Sequence, residues 1–282
     1  MHIIFVILAI TLRIFSNSFS NVFQKQLAEH KEKPAVINFF NYFILSLFSV
    51  FIIFLSDFSY LNFEFIIYAV LGGIFGAICN CFMVLALEKG QLSVLGPLNS
   101  YKAVIGLIFG IIILGEYPDI YGLLGIILII MGSYFIFDSP KDILKKDIGY
   151  RFCALFFSAV EAVFIKKVIV LSSITISFAV SSIMGCLFSY LITRYITKSQ
   201  IKIPAKNICP KYIFASLCFG IMTFSTAYVF KYLNVGYALS LFQLSIILNV
   251  FLGWKLFKEQ NLHKKLAGSA IIILGSVIIL LT

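Results

Sequence analysis

Charge is what this chain has least of. Only 12% of its 282 residues are Asp, Glu, Lys or Arg, where a soluble domain carries about a quarter, and that shortage excludes a water-soluble globular protein. Acidic residues are the scarcer sign, 12 against 22 basic ones. The three histidines, His2, His30 and His263, stand at the chain start or in connections, too scattered for a ligand set. No HExxH, Walker A loop or GxSxG occurs, which leaves metallohydrolase, nucleotide-driven and serine-hydrolase chemistry without the residues to carry it. Of six cysteines, Cys79 and Cys81 come closest together, but residues two apart on a helix point to different sides. They read as small packing residues. No metal, no cofactor and no enzymatic role is expected.

What is present is apolar: 61% of the residues are hydrophobic. A bilayer core about 30 Å thick takes about 20 apolar residues per helix, whereas barrel strands need about 10 with strict alternation. The long unbroken runs fit helices. Ten spans are predicted, near 3–26, 35–56, 64–87, 92–114, 119–138, 149–169, 174–196, 212–230, 236–256 and 264–281, with short connections that make successive helices antiparallel neighbours. The first run lacks a basic leader and a small-residue cleavage site, so it is kept as a span.

The chain is also a duplication. Moving 143 positions on, Leu98, Gly110, Glu116, Gly125, Gly132 and Ser133 fall on Leu241, Gly253, Glu259, Gly268, Gly275 and Ser276 without a gap. Residues 1–138 form the first five-helix repeat and 149–282 the second, joined by a short basic connection at 139–148. Five spans per half is an odd number, so the second half enters the membrane from the opposite side. The fold class expected is therefore an all-α integral membrane protein, ten transmembrane helices as two inverted five-helix repeats, an architecture that transporters use.

The layout, the small-residue-rich fourth span running into LGE at Leu114 to Glu116, the glycines of the fifth and the duplication resemble the drug/metabolite transporter superfamily, in particular its EamA-like branch. The resemblance implies a ten-helix basket with a central cavity in the cell membrane. It implies traffic in small metabolites such as amino acids or, in relatives, sugars, nucleotide-sugars and phosphorylated metabolites. Orientation is open. Basic residues crowd the odd-numbered connections, which would put both termini outside, whereas many members of that superfamily keep both termini in the cytoplasm. The net charge of +10 is mostly this one basic face, and no nucleic-acid partner is expected.

Candidate site residues are those that apolar spans would avoid. Arg13, Lys102 and Glu161 lie near the middles of the first, fourth and sixth spans, where an ionisable group costs at least about 2.5 to 3.5 kcal/mol unless paired or hydrated. Either they pair as structural charges, or they bind substrate and relay protons, Glu161 being the proton-coupling candidate. Asn17, Asn21 and Lys25 follow Arg13 at intervals of four, a polar stripe that must avoid lipid. Asn99, Lys102, Gly106 and Gly110 form a second stripe, with Pro97 freeing a backbone carbonyl. The ninth span answers with Ser240, Gln243, Ser245 and Asn249, Ser245 standing at the copy position of Lys102. Glu116 and Glu259, in turns at helix ends, read as caps or interfacial partners, and Gly72, Gly76 and Asn80 as a helix contact face.

Two function classes stand: a secondary transporter of a small polar metabolite, anionic or zwitterionic, and a non-transporting scaffold subunit whose charges pair, with a lipid-linked-sugar flippase between them. The partners expected are the lipid bilayer and a small-molecule substrate, with the chain acting as monomer or homodimer.

Overall fold

The computed structural model describes residues 2–56, 61–102, 105, 120–136, 144–233, 238–239 and 241–280. These hold ten α-helices: α1 His2–Glu29, α2 Pro34–Phe54, α3 Phe63–Lys89, α4 Leu92–Leu95, α5 Ile120–Ile136, α6 Lys146–Leu171, α7 Ile174–Leu191, α8 Cys209–Tyr232, α9 Ser245–Phe257 and α10 Leu262–Leu280. Five described segments, Ile3–Glu29, Pro34–Phe54, Phe63–Lys89, Ile174–Ile196 and Cys209–Tyr232, are long and apolar enough to cross a membrane. α6 carries Arg151, Glu161, Lys166 and Lys167, so its length is interrupted by charge. The chain is turned inside out relative to a soluble protein. Large apolar residues such as Ile3, Phe54, Phe63 and Ile120 are exposed, while Arg13, Gln24, Lys25 and Gln243 are buried.

Local sequence sets the helix starts. Pro34 opens α2 at a position where its missing N–H costs nothing, and the Asn62 carbonyl oxygen caps α3 by accepting from Phe65 N at 2.7 Å. Ser173 does the same for α7, accepting from Ile176 N at 3.2 Å. α6 begins at Lys146, inside the basic connection expected over 139–148, because Asp147 supplies the negative charge that a first helical turn favours.

Two expected spans differ in form. The stretch expected as one helix from 92 is broken after Leu95, where Gly96 and Pro97 lead into a 3₁₀ turn, Pro97–Ser100. Its duplicate is broken in the same way, with helical residues at 238, 239 and 241 leading into a 3₁₀ turn, Phe242–Leu244, before α9. Proline cannot donate to the carbonyl four residues back, and Asn99 N bonds instead to Gly96 O at 3.0 Å. Gly106, Gly110, Glu116, Gly236 and Ser240 lie outside the described residues.

Helix pairing follows the duplication. α3 packs along α6, and α1 along α8, which is the same pair with the halves exchanged; α2 on α7 and α5 on α10 each meet their own duplicate, and α4 packs on α9. The glycines show how closely. A Cβ added at Gly132 would lie 2.8 Å from the Gly268 carbonyl oxygen, and one at Gly275 would lie 2.7 Å from that of Gly125. Shifting each partner by 143 turns the first contact into the second. Rising numbers on α5 meet falling numbers on α10, so these duplicate helices run antiparallel.

The main apolar core, including Val22, Leu87, Leu95, Leu155, Val250 and Ile272, gathers α1, α3, α4, α6, α9 and α10 around the broken segments. Along α3 and α6, stacked rings fix the register: Phe82 with Phe157 at 6.0 Å and 6°, and Phe75 with Phe164 at 5.7 Å and 5°. That register decides which face of α6 turns inward.

Candidate functional site

The inward face of α1 is the polar stripe. Arg13, Asn17, Ser20, Asn21 and Gln24 all line one central cavity. The guanidinium of Arg13 lies over the Phe242 ring, 4.5 Å from its centroid, a placement that suits a cation with an apolar neighbour. Its Nε and Nη1 are buried with no hydrogen-bond partner.

The broken fourth segment supplies the opposite wall. Asn99 and Lys102 line the cavity, and Asn249 joins them from α9, where it packs against Gly96. Lys102 Nζ donates to the Ser158 hydroxyl on α6. Gln243 stands apart from the lining: its carbonyl oxygen accepts from Asn99 Nδ2 at 3.4 Å and Ser100 Oγ at 3.2 Å, while its amide donates to Leu239 O at 2.9 Å. It therefore fixes the two breaks against each other. At the break the carbonyl of Leu95 accepts from an arginine and not from Lys102.

That arginine is Arg151, which by its place just after the 139–148 connection counts among the basic residues in or near the odd-numbered connections. It is 7% exposed and lines the cavity. Its Nε donates to Leu95 O at 3.0 Å, Nη2 to Asn99 Oδ1 at 3.0 Å and Nη1 to Met83 Sδ at 2.8 Å. Arg151, Ser158, Glu161, Ala162 and Ile165 share one helical face, and all five line the cavity. Glu161 faces Gly76, where a Cβ would lie 2.5 Å from its Oε1 and 3.2 Å from the Tyr42 hydroxyl. Among the described residues Lys102 and Glu161 share the cavity without closing an ion pair. Gly72 packs on Phe164 as a contact residue, but Gly76 and Asn80 belong to the cavity wall. Tyr42, Asn80, Arg151, Ser158, Thr223 and Thr226 are polar lining residues that the stripes did not reveal.

A second polar cluster lies at the end of the bundle where α1 finishes. Lys25 Nζ pairs with Glu259 Oε1 at 2.8 Å and donates to Gly90 O at 2.9 Å. Glu259 also caps the broken segment, accepting from Leu92 N at 2.8 Å, from Ser93 N at 2.9 Å and from the Ser93 hydroxyl. Lys265 Nζ donates to Gln91 Oε1 at 2.5 Å and Ser93 Oγ at 2.8 Å. Gly253 makes room, because a Cβ there would sit 2.5 Å from Glu259 Oε2 and 3.0 Å from Ser93 N. Burial alone would raise the Glu259 carboxyl, but the Lys25 charge and the donors of Lys25 and Ser93 hold it below the usual range. Glu259 is thus cap and interfacial partner together. At the other end, Lys166 donates to Phe230 O and, at 3.3 Å, to Leu233 O.

No cluster of three His, Cys, Asp or Glu suited to a metal occurs among the described residues. The model of the EamA-like transporter family matches the chain twice, over residues 4–138 and 147–281. No curated protein matches it. A solved crystal structure aligns with a TM-score of 0.67 at 13% identity, covering 97% of this chain and 95% of its own. At that identity the likeness is one of fold.

Proposed function

The chain belongs to the EamA-like transporter family, and from that premise we propose that it is a secondary transporter moving a small polar metabolite, an amino acid or related anionic or zwitterionic compound, by alternating access. The observation that carries the reading is Arg13: a guanidinium buried in a polar cavity with two nitrogens unpartnered. Buried charges are paired or hold a ligand, since leaving them alone is costly. Lys102 and Arg13 are the anion-binding groups, with Asn17, Asn21, Asn99 and Asn249 as hydrogen-bonding walls and Gln243 as a brace behind Asn99. Glu161 is the proton-coupling group, driving transport without a nucleotide. The antiparallel Gly132–Gly268 and Gly125–Gly275 contacts support ten transmembrane helices in two inverted repeats of a cell-membrane protein. A scaffold subunit would have its charges paired; Lys102 resting on a serine counts against it.

The test is a thermal-shift screen of purified protein against amino acids, nucleosides, sugar phosphates and lipid-linked sugars, repeated on Lys102→Met. Methionine keeps the stem and removes the charge. Loss of a charge-assisted hydrogen bond costs about 1.5 to 3 kcal/mol, so affinity for the stabilising compound should fall roughly ten- to hundredfold in normally inserted protein. An analogue lacking the acid group should lose far less. Unchanged affinity removes Lys102 from the site, and a screen in which only lipid-linked sugars stabilise supports the flippase.

In proteoliposomes, Glu161→Gln should abolish the pH dependence of uptake and spare substrate exchange. Uptake that keeps its pH dependence would take the proton role from Glu161.

A further inference from the structure

The charges around the cavity do not balance. Among the described lining residues three side chains are cationic, Arg13, Lys102 and Arg151, and one is acidic, Glu161. The groups that hold the cations are neutral. Arg151 is met by two carbonyl oxygens and a thioether, Lys102 by a serine hydroxyl, and Arg13 by an aromatic ring. Dipoles orient these cations but leave their charge in place. Glu259 is paired with Lys25 in the separate cluster. Among the described residues two positive charges therefore remain over, in a space whose walls otherwise offer amides, hydroxyls, a thiol and apolar side chains.

The cations also come from different elements. Arg13 stands on α1 with unpartnered nitrogens, while Lys102 and Arg151 are tied together across the broken fourth segment and α6, Arg151 through Asn99 and Lys102 through Ser158. Two negative charges on one small solute would balance the excess.

We propose that the cavity selects small organic dianions, compounds with two acid charges such as a dicarboxylate or a phosphate monoester, over monoanions and zwitterions of the same size. This rests on the transporter reading above and narrows its substrate class. A monoanion leaves one cation uncompensated at a depth where water is scarce, and a zwitterion adds an ammonium to a site already in cationic excess. Glu161 sets the upper limit by repelling further negative charge.

The experiment measures melting shifts and counterflow in proteoliposomes for wild-type protein with succinate, glycerol 3-phosphate, butyrate and alanine. Succinate or glycerol 3-phosphate should bind at least about tenfold more tightly than butyrate or alanine, the size of effect expected when a charge-assisted contact is gained. The stronger of the two dianions tells carboxylate from phosphate chemistry. Arg13→Gln and Lys102→Met each remove one charge, so in each the dianion preference over butyrate should shrink about tenfold or more. Wild-type protein decides the matter even where a variant fails to fold. Butyrate or alanine binding and exchanging as well as the dianions overturns the charge-matching inference and leaves the transporter reading standing. Neither shift nor counterflow with any of the four overturns the inference, and extending that silence to the wider metabolite screen overturns the transporter reading too.

Discussion

Glu259→Gln should destabilise the purified protein by about 3 to 5 kcal/mol, the cost of breaking a buried pair and leaving one charge behind. Lys25, buried beside it, would keep only Gly90 O and the Phe257 ring as company. The cap on Leu92 and Ser93 would weaken at the same time. Removing both charges tells these effects apart: Lys25→Met with Glu259→Gln should recover much of the loss, since no orphaned ammonium remains. Thermal unfolding in detergent reads both variants, and a double variant no better than the single one would show that the cap, not the charge pair, matters. Acid gives an independent check. Because Glu259 is held below the usual carboxylate range, its contribution is complete at neutral pH and is lost as pH falls through that lowered value. The Glu259→Gln variant should therefore lose less stability on acidification than the parent.

Gly132→Ala and Gly275→Ala should each cost about 1 to 3 kcal/mol, and by similar amounts. At both positions the new methyl meets a backbone carbonyl oxygen, Gly268 O at 2.8 Å or Gly125 O at 2.7 Å, and a backbone atom cannot turn aside as a side chain does. α5 and α10 would have to separate. Equal losses follow from the two contacts being one contact repeated; a harmless substitution at either site would mean that the helices are free to slide apart there. Unfolding measurements on the two single variants and their combination check it, the combination being less than additive because one separation relieves both clashes.

How much of this was legible in the sequence depended on how far apart the partners lie. The α1 stripe was readable because Arg13, Asn17 and Asn21 repeat every four residues on one helix, and such spacing survives folding unchanged. The duplication was readable because glycines at a fixed offset mark backbone contacts. Arg151 was not, since it stands five residues into α6 and looks, in a linear count, like one more charge at a membrane edge. Only Leu95 O and Asn99, more than 50 positions away, turn it inward. Gln243 looked like a wall residue because it shares a helix with Asn249, but its carbonyl is committed to Asn99 and Ser100. Glu259 was recognisable as a cap or a partner. That it caps the start of α4 rather than its own helix depends on Gly253 letting two backbones approach, which no local pattern states.

The lysines at the two ends of the bundle bear on energetics. Lys25, on the first helix of the first half, holds the carbonyl of Gly90 just past α3; Lys166, on the first helix of the second half, holds that of Leu233 just past α8. Gly90 and Leu233 are 143 apart. The match lies in the carbonyls and not in the cations: Lys25 stands 141 positions before Lys166 and is paired with the Glu259 carboxylate, whereas Lys166 is met by the carbonyl oxygens of Phe230 and Leu233, so among the described residues one end is fastened by an ion pair and the other by dipoles.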